Sequence, residues 1–171
     1  MSDGFDGRFR EVFSERWEGL YVYVRRLTGD ADVASDVAQE AFVRLYDRGA
    51  MPRDPAAWLV SVANNLLRDL GRKRDRRRRL LALRGGDTPG VGLVPDPGQD
   101  LEAAERRREV RAALERLPLR QRQVLLLRAG GMRYREIAAA LRMPVSSVGQ
   151  TLARGLEGLR RLRAERLHAP D

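Results

Sequence analysis

YREIAAALRMPVSSVGQTLARGLEGLRR, residues 134–161, carries an apolar face that is interrupted and then resumed. Tyr134, Ile137, Ala138 and Leu141 fall at i, i+3, i+4 and i+7, and Val145, Val148, Leu152, Leu156 and Leu159 repeat the face after Arg142-Met143-Pro144. The spacing predicts two short helices across a tight turn. Pro144 cannot continue the first helix, Ser146 or Ser147 can cap the second, and the small Ala138 lets the two backbones approach closely. Ser147, Gln150, Thr151 and Arg154 then point away from the apolar stripe, a row of hydrogen-bonding side chains suited to base edges in a major groove. A helix-turn-helix is the expected unit.

Outside that stretch the rhythm stays helical, and no strand pattern appears. Phe9, Val12, Phe13, Trp17, Leu20, Tyr21 and Val24 form one face of a first helix, read as core and closed by Thr28-Gly29. Asp30 is a good N-cap for a second helix, with Val33, Val37, Ala41 and Leu45 on one side, flanked by Ala34, Ala38 and Phe42. Asp36, Gln39, Glu40 and Arg44 lie on its other side, either a solvated face or a docking face for a protein partner. After GAMPRDP, Asp54 and Pro55 supply the N-cap and first position of a third helix. Trp58, Leu59, Val62, Leu66 and Leu70 are its buried stripe, Asn64, Asn65, Arg68 and Asp69 lie off it, and Gly71 is a point where it can bend. The helix runs into a block of nine basic residues between Arg68 and Arg84, opposed only by Asp69 and Asp75, which suits phosphate contact.

GGDTPGVGLVPDPG, residues 85–98, has five glycines and three prolines and reads as a flexible linker. The expected organisation is all-α: a domain at 1–84, the linker at 85–98, and a second domain at 99–171. In the latter, Asp100 to Leu117 forms a charged helix packing through Leu101, Ala104, Val110, Ala113, Leu114 and Leu117. Pro118 opens the next, whose Val124 to Leu127 core closes at Gly130-Gly131.

Composition narrows the function. The net charge is +9 and all but one of the 33 basic residues are arginine, which favours an acidic partner. With no cysteine and one histidine, His168, the chain has no material for disulfides, thiolate chemistry, zinc sites or a Ser-His triad, so no metal, cofactor or catalysis is expected. No apolar run is long enough to cross a bilayer, and MSDGFDGRF lacks the order of a signal peptide, so the expected location is the cytoplasm.

Two motif sets carry a family resemblance. D-V-A-Q-E-A-F at Asp36 to Phe42 is similar to D-L-V-Q-E-x-F, and W-L-V-S-V-A-N-N-L-L-R-D at Trp58 to Asp69 is similar to W-L-x-x-I-A-R-N-x-x-x-D. L-P-L-R-Q-R-Q-V at Leu117 to Val124 and E-I-A-A-A-L at Glu136 to Leu141 are similar to the fourth conserved region of the same family. The chain thus resembles bacterial sigma-70-type initiation factors of the extracytoplasmic-function group, over both halves and in the expected order.

The resemblance implies a non-enzymatic promoter-specificity subunit. Its partners would be core RNA polymerase, through the beta-prime clamp helices and the beta flap, promoter DNA, and an anti-sigma factor, with no membrane insertion and no small-molecule substrate. Asp36, Gln39, Glu40 and Phe42 match the polymerase-binding helix. Asn64, Asn65, Arg68 and Asp69, with the Tyr46 to Pro55 connection, match the minus-ten site, and Arg72, Lys73, Arg76 and Arg77 would extend it as a cationic wall. Ser146, Ser147, Gln150, Thr151 and Arg154 match the minus-thirty-five helix, with Arg120, Arg133 and Arg135 as phosphate contacts.

Three departures accompany the match. Arg142 stands where the family usually has glycine, so either a residue with a Cβ takes positive φ or the turn is built differently. Ser147-Val148-Gly149-Gln150-Thr151 lacks both cations of the usual T-V-K-S-R. Gly149 and Gly155 each weaken an isolated helix by about 1 kcal/mol relative to alanine. Minus-thirty-five reading is therefore expected to be weaker, or carried by Arg154 and groove shape. Alternatives are a stand-alone helix-turn-helix regulator, for which the N-terminal motifs have no use, and a sigma-like protein that sequesters polymerase or a regulator.

Overall fold

The computed structural model describes residues 3–82 and 101–167, so the Gly/Pro-rich stretch and His168 lie outside the described residues. Seven helices and no strand make up the described residues. Helix α1 (Asp3–Thr28) stops where Gly29 takes φ 76, and α2 (Ala31–Asp47) begins at once because Asp30 Oδ1 accepts the Val33 N–H at 3.0 Å. Asp54 repeats the device for α3 (Pro55–Ala82), accepting the Ala57 N–H at 2.9 Å. Helix α3 continues through Gly71 unbroken, carried by leucine and arginine on either side, both good helix formers. Val24, Leu45 and Leu59 are fully buried between these helices, and Ala34, Ala38, Ala41 and Ala63 let the backbones come close. Burying one such large side chain contributes about 1.5–3 kcal/mol.

The remaining helices are α4 (Leu101–Glu115), α5 (Leu119–Ala129), α6 (Tyr134–Leu141) and α7 (Val145–Leu167). Val124 to Leu127 are buried as expected, and α5 ends at Gly130-Gly131, the latter at φ 89. Val110, expected to pack, is 57% exposed; α4 and its end pack through Leu114 and Leu117 instead. The turn of the helix-turn-helix resolves the alternatives left by the sequence. Arg142 takes φ 51, and the Met143 N–H reaches back to Ala138 O at 3.0 Å, a Schellman-type closure with arginine in the glycine position. Ser146 and Ser147 do not cap α7. They lie in its first turn, where the Ser147 N–H bonds Pro144 O at 3.0 Å.

The two halves pack on each other, α3 against α6 and α1 against α5, and their buried residues form one connected core. This packing overturns one expectation. Asn64, read as lying off the stripe of α3, is 8% exposed, because α5 covers the face the sequence left open. Arg111 of α4 adds a bond from Nη1 to Gly29 O at 3.4 Å. No helix among the described residues is long and apolar enough to cross a membrane.

Candidate nucleic-acid interface

The interface candidates on the helix-turn-helix begin at its first turn. The Arg133 N–H donates to Glu136 Oε2 at 2.6 Å, fixing the start of α6, and the guanidiniums of Arg133 and Arg135 stand exposed beside it. Arg128 lies over the Tyr134 ring, 5.8 Å from its centre, while a Cβ at Gly149 would touch that ring at 3.5 Å. On α7, Ser146, Gln150 and Arg154 are exposed, whereas Ser147 and Thr151 are half-buried and linked by a bond from Thr151 Oγ1 to Ser147 O at 2.8 Å. Arg120 is exposed but tied down: its Nη1 donates to Leu141 O at 2.7 Å, satisfying a carbonyl at the end of α6.

On α3 the polar row is continuous but divided. Arg68 Nη1 donates to Asn65 Oδ1 at 3.1 Å, and Arg72 pairs with Asp69 at 3.8 Å. Arg72, Lys73 and Arg76 are exposed; the Arg77 side chain lies outside the described residues. Asn64 does not join them. Its Oδ1 accepts from the Tyr23 hydroxyl at 2.9 Å and from Gln123 Nε2 at 3.1 Å, a buried junction of α1, α3 and α5. Burial pushes the Tyr23 phenol well above its ordinary value, offset in part by Asn64 and Gln123 and by the charges of Arg120 and Arg122.

A third face lies on α1 and α2. Asp36 and Gln39 are exposed, and Glu40 Oε1 accepts from Arg44 Nε at 2.8 Å. Phe42 is buried at 3% exposure, its ring edge-on to Phe13 at 4.9 Å. Above it, Phe9, Phe13, Trp17 and Tyr46 line a groove of about 390 Å³. The sequence reading assigned Phe9, Phe13 and Trp17 to the core, yet Phe13 is 40% and Tyr46 54% exposed. Phe5, Phe9, Phe13 and Trp17 follow one i, i+4 line, more aromatic surface than two thin helices can cover.

Comparison with known proteins accounts for both halves. The Sigma-70 region 2 model matches residues 18–77, and the Sigma-70, region 4 model matches residues 107–159. The ECF RNA polymerase sigma factor SigX of Bacillus subtilis is 31% identical over 161 residues, covering 90% of this chain and 82% of SigX. The chain belongs to the sigma-70 family, in its extracytoplasmic-function group. SigW of Bacillus subtilis is 28% identical, with 94% and 91% of the two chains covered. The sigma factor RpoE of Bartonella quintana, solved with the anti-sigma factor NepR, shares the fold at TM-score 0.67 and 21% identity, over 92% of this chain and 97% of that one.

In this sigma factor the region 2 match spans most of α1 to α3 and the region 4 match runs from α4 into α7. Asn65, Arg68, Asp69, Arg72, Lys73 and Arg76 share one helix, and Arg133, Arg135, Gln150 and Arg154 share the helix-turn-helix. Asn64, Arg120 and Phe42 are instead engaged within the protein. The sequence reading missed Tyr23 and Gln123. A polar residue on an apolar stripe is the signal that would have found them, since Gln123 precedes Val124 to Leu127 and Tyr23 sits beside Val24.

Proposed function

We infer that this sigma factor binds core RNA polymerase in the cytoplasm and directs promoter-specific transcription initiation, without covalent chemistry of its own. The observation carrying this reading is the presence of region 2 and region 4 matches, in that order, on one chain. Asn65, Arg68 and the cations of α3 would hold the melted minus-ten strand, where contacts made only to open DNA offset the cost of unpairing bases. Gln150 and Arg154 of α7 would meet the minus-thirty-five duplex, with Arg133 and Arg135 on its phosphates. Asp36, Gln39 and Glu40, beside the aromatic groove, would dock the polymerase clamp helices, with Phe42 supporting the groove from below.

For Asn64 to touch DNA the two halves must part, because Gln123 covers it in the packed arrangement. An anti-sigma factor belongs among the expected partners, as for RpoE of Bartonella quintana. The test is reconstituted run-off transcription: core enzyme with this protein is expected to give promoter-dependent transcripts from a genomic template pool, and the absence of any would sink the reading. Sequencing the five-prime ends of those transcripts would supply both promoter elements.

A further inference from the structure

Between the two halves lies a cavity of about 620 Å³, a volume typical of small-molecule sites. Arg68 and Arg74 enter its lining from α3, Arg120 and Arg122 from α5, and Arg142 from the turn of the helix-turn-helix. Among the described residues lining it there is no aspartate or glutamate. Asp30, 4.0 Å from Arg74, lies outside the lining. Five like charges around one space repel, and no carboxylate in the lining offsets them, although Arg68 and Arg120 each donate to a lining oxygen, Asn65 Oδ1 and Leu141 O.

Two further observations point the same way. Asn64 lines the cavity and is 8% exposed, and its Nδ2 finds no acceptor in the protein; the buried Arg122 Nε finds none either. Unmet buried donors are costly, and both belong to side chains that line the cavity. Arg142 holds φ 51, a conformation glycine adopts without strain, so the chain places a guanidinium at the cavity rim at a conformational cost.

We propose that this cavity is a binding site for a small polyphosphate anion, with phosphate groups bridging arginines of both halves. Phosphate oxygens are acceptors only, and guanidinium forks match them in charge and geometry. A duplex is too wide to enter this volume, and a peptide would bring N–H donors to a lining dominated by donors. An anion held from both sides binds the packed arrangement and not the separated halves, so it favours packing by mass action. Its effect on promoter binding rests on the sigma-factor reading; the binding itself does not.

The full chain, which has no cysteine of its own, is titrated with inorganic triphosphate by calorimetry. In parallel, dyes on cysteines introduced at Gly19 and Arg163 report the separation of the halves. One site per chain is expected, with tighter packing on binding. Arg142→Gly removes a guanidinium while relieving the backbone, so it folds, and it is expected to weaken binding at least about tenfold; Arg122→Gln is expected to act likewise. The remote exposed change Arg10→Gln is expected to leave binding unaltered. Stronger binding of adenosine triphosphate than of inorganic triphosphate would assign the ligand to nucleotides, and the reverse to inorganic chains. Equal binding of orthophosphate, equal weakening in Arg10→Gln, or undiminished binding in Arg142→Gly and Arg122→Gln would each overturn the proposal. No polymerase is involved, so failure here leaves the promoter reading standing, and the converse holds.

Discussion

Gly155 of α7 reads as a weakness in the sequence and as a fitted contact in the structure. A Cβ there would lie 2.8 Å from Leu125 Cδ1 and 3.1 Å from its Cγ, and one at Gly158 would lie 2.5 Å from Leu117 Cδ2. The missing side chains let two buried leucines press on the helix. Helix propensity alone gives alanine an advantage of about 1 kcal/mol, whereas overpacking a fitted contact costs about 1–3 kcal/mol. Gly155→Ala is therefore expected to lower stability by about 1 kcal/mol, the net of the two. Gly19 of α1 has nothing within 4 Å of its Cβ position, so Gly19→Ala is expected to raise stability by about 0.5–1 kcal/mol. Urea unfolding of the two variants checks the opposite signs. Local propensity treats these glycines alike; only the neighbouring helix separates them.

At the scale of elements, α2 and α3 carry opposite net charges. Glu40 accepts from Arg44 on the exposed side of α2, and replacing it removes one i, i+4 pair worth about 0.2–0.5 kcal/mol. Glu40→Arg is expected to leave the fold intact and to weaken core polymerase binding at least about tenfold, or 1.4 kcal/mol. Competition for core enzyme against the unaltered protein measures this, and equal competition would remove Glu40 from the docking face. On α3, replacing Arg76 to Arg79 by alanine is expected to lower promoter affinity and its salt dependence. The slope of log affinity against log salt should fall by about 0.9 for each phosphate that the variant no longer neutralises. An unchanged slope would make that block solvated surface. Helix starts at Asp30 and Asp54 were legible because capping is local, whereas at Arg142 the sequence left two turns open and the structure chose the positive φ. The aromatic groove was not, because periodicity marks which side chains share a face and not whether another helix covers it.

The whole molecule is organised by the junction of Tyr23, Asn64 and Gln123, which ties α1, α3 and α5 across the two halves. Tyr23 is held neutral there, its phenol raised chiefly by burial. The stability this contributes is fully present below the ordinary phenol value of about 10, and declines as pH rises above it, since the unfolded phenol ionises first. Unfolding free energy is thus expected to drop between neutral pH and pH above about 10 more steeply than in Tyr23→Phe, which lacks the ionising group. Parallel slopes for the two proteins would place the phenol in water and the halves apart.

By itself the sequence determined the all-helical class, the helix-turn-helix, the two motif sets and hence the family, because caps, periodicity and short motifs are properties of consecutive residues. Whether an exposed-looking side chain meets solvent or another helix was decided by the tertiary structure alone. Asn64 passed from a free base-reading candidate to a buried acceptor, and Phe13 from core to groove wall, since burial depends on residues 59 and 29 positions away respectively. The cavity between the halves follows the same rule: Arg68 and Arg142 are far apart in the chain, and only packing of α3 on α6 gathers their charges around one space.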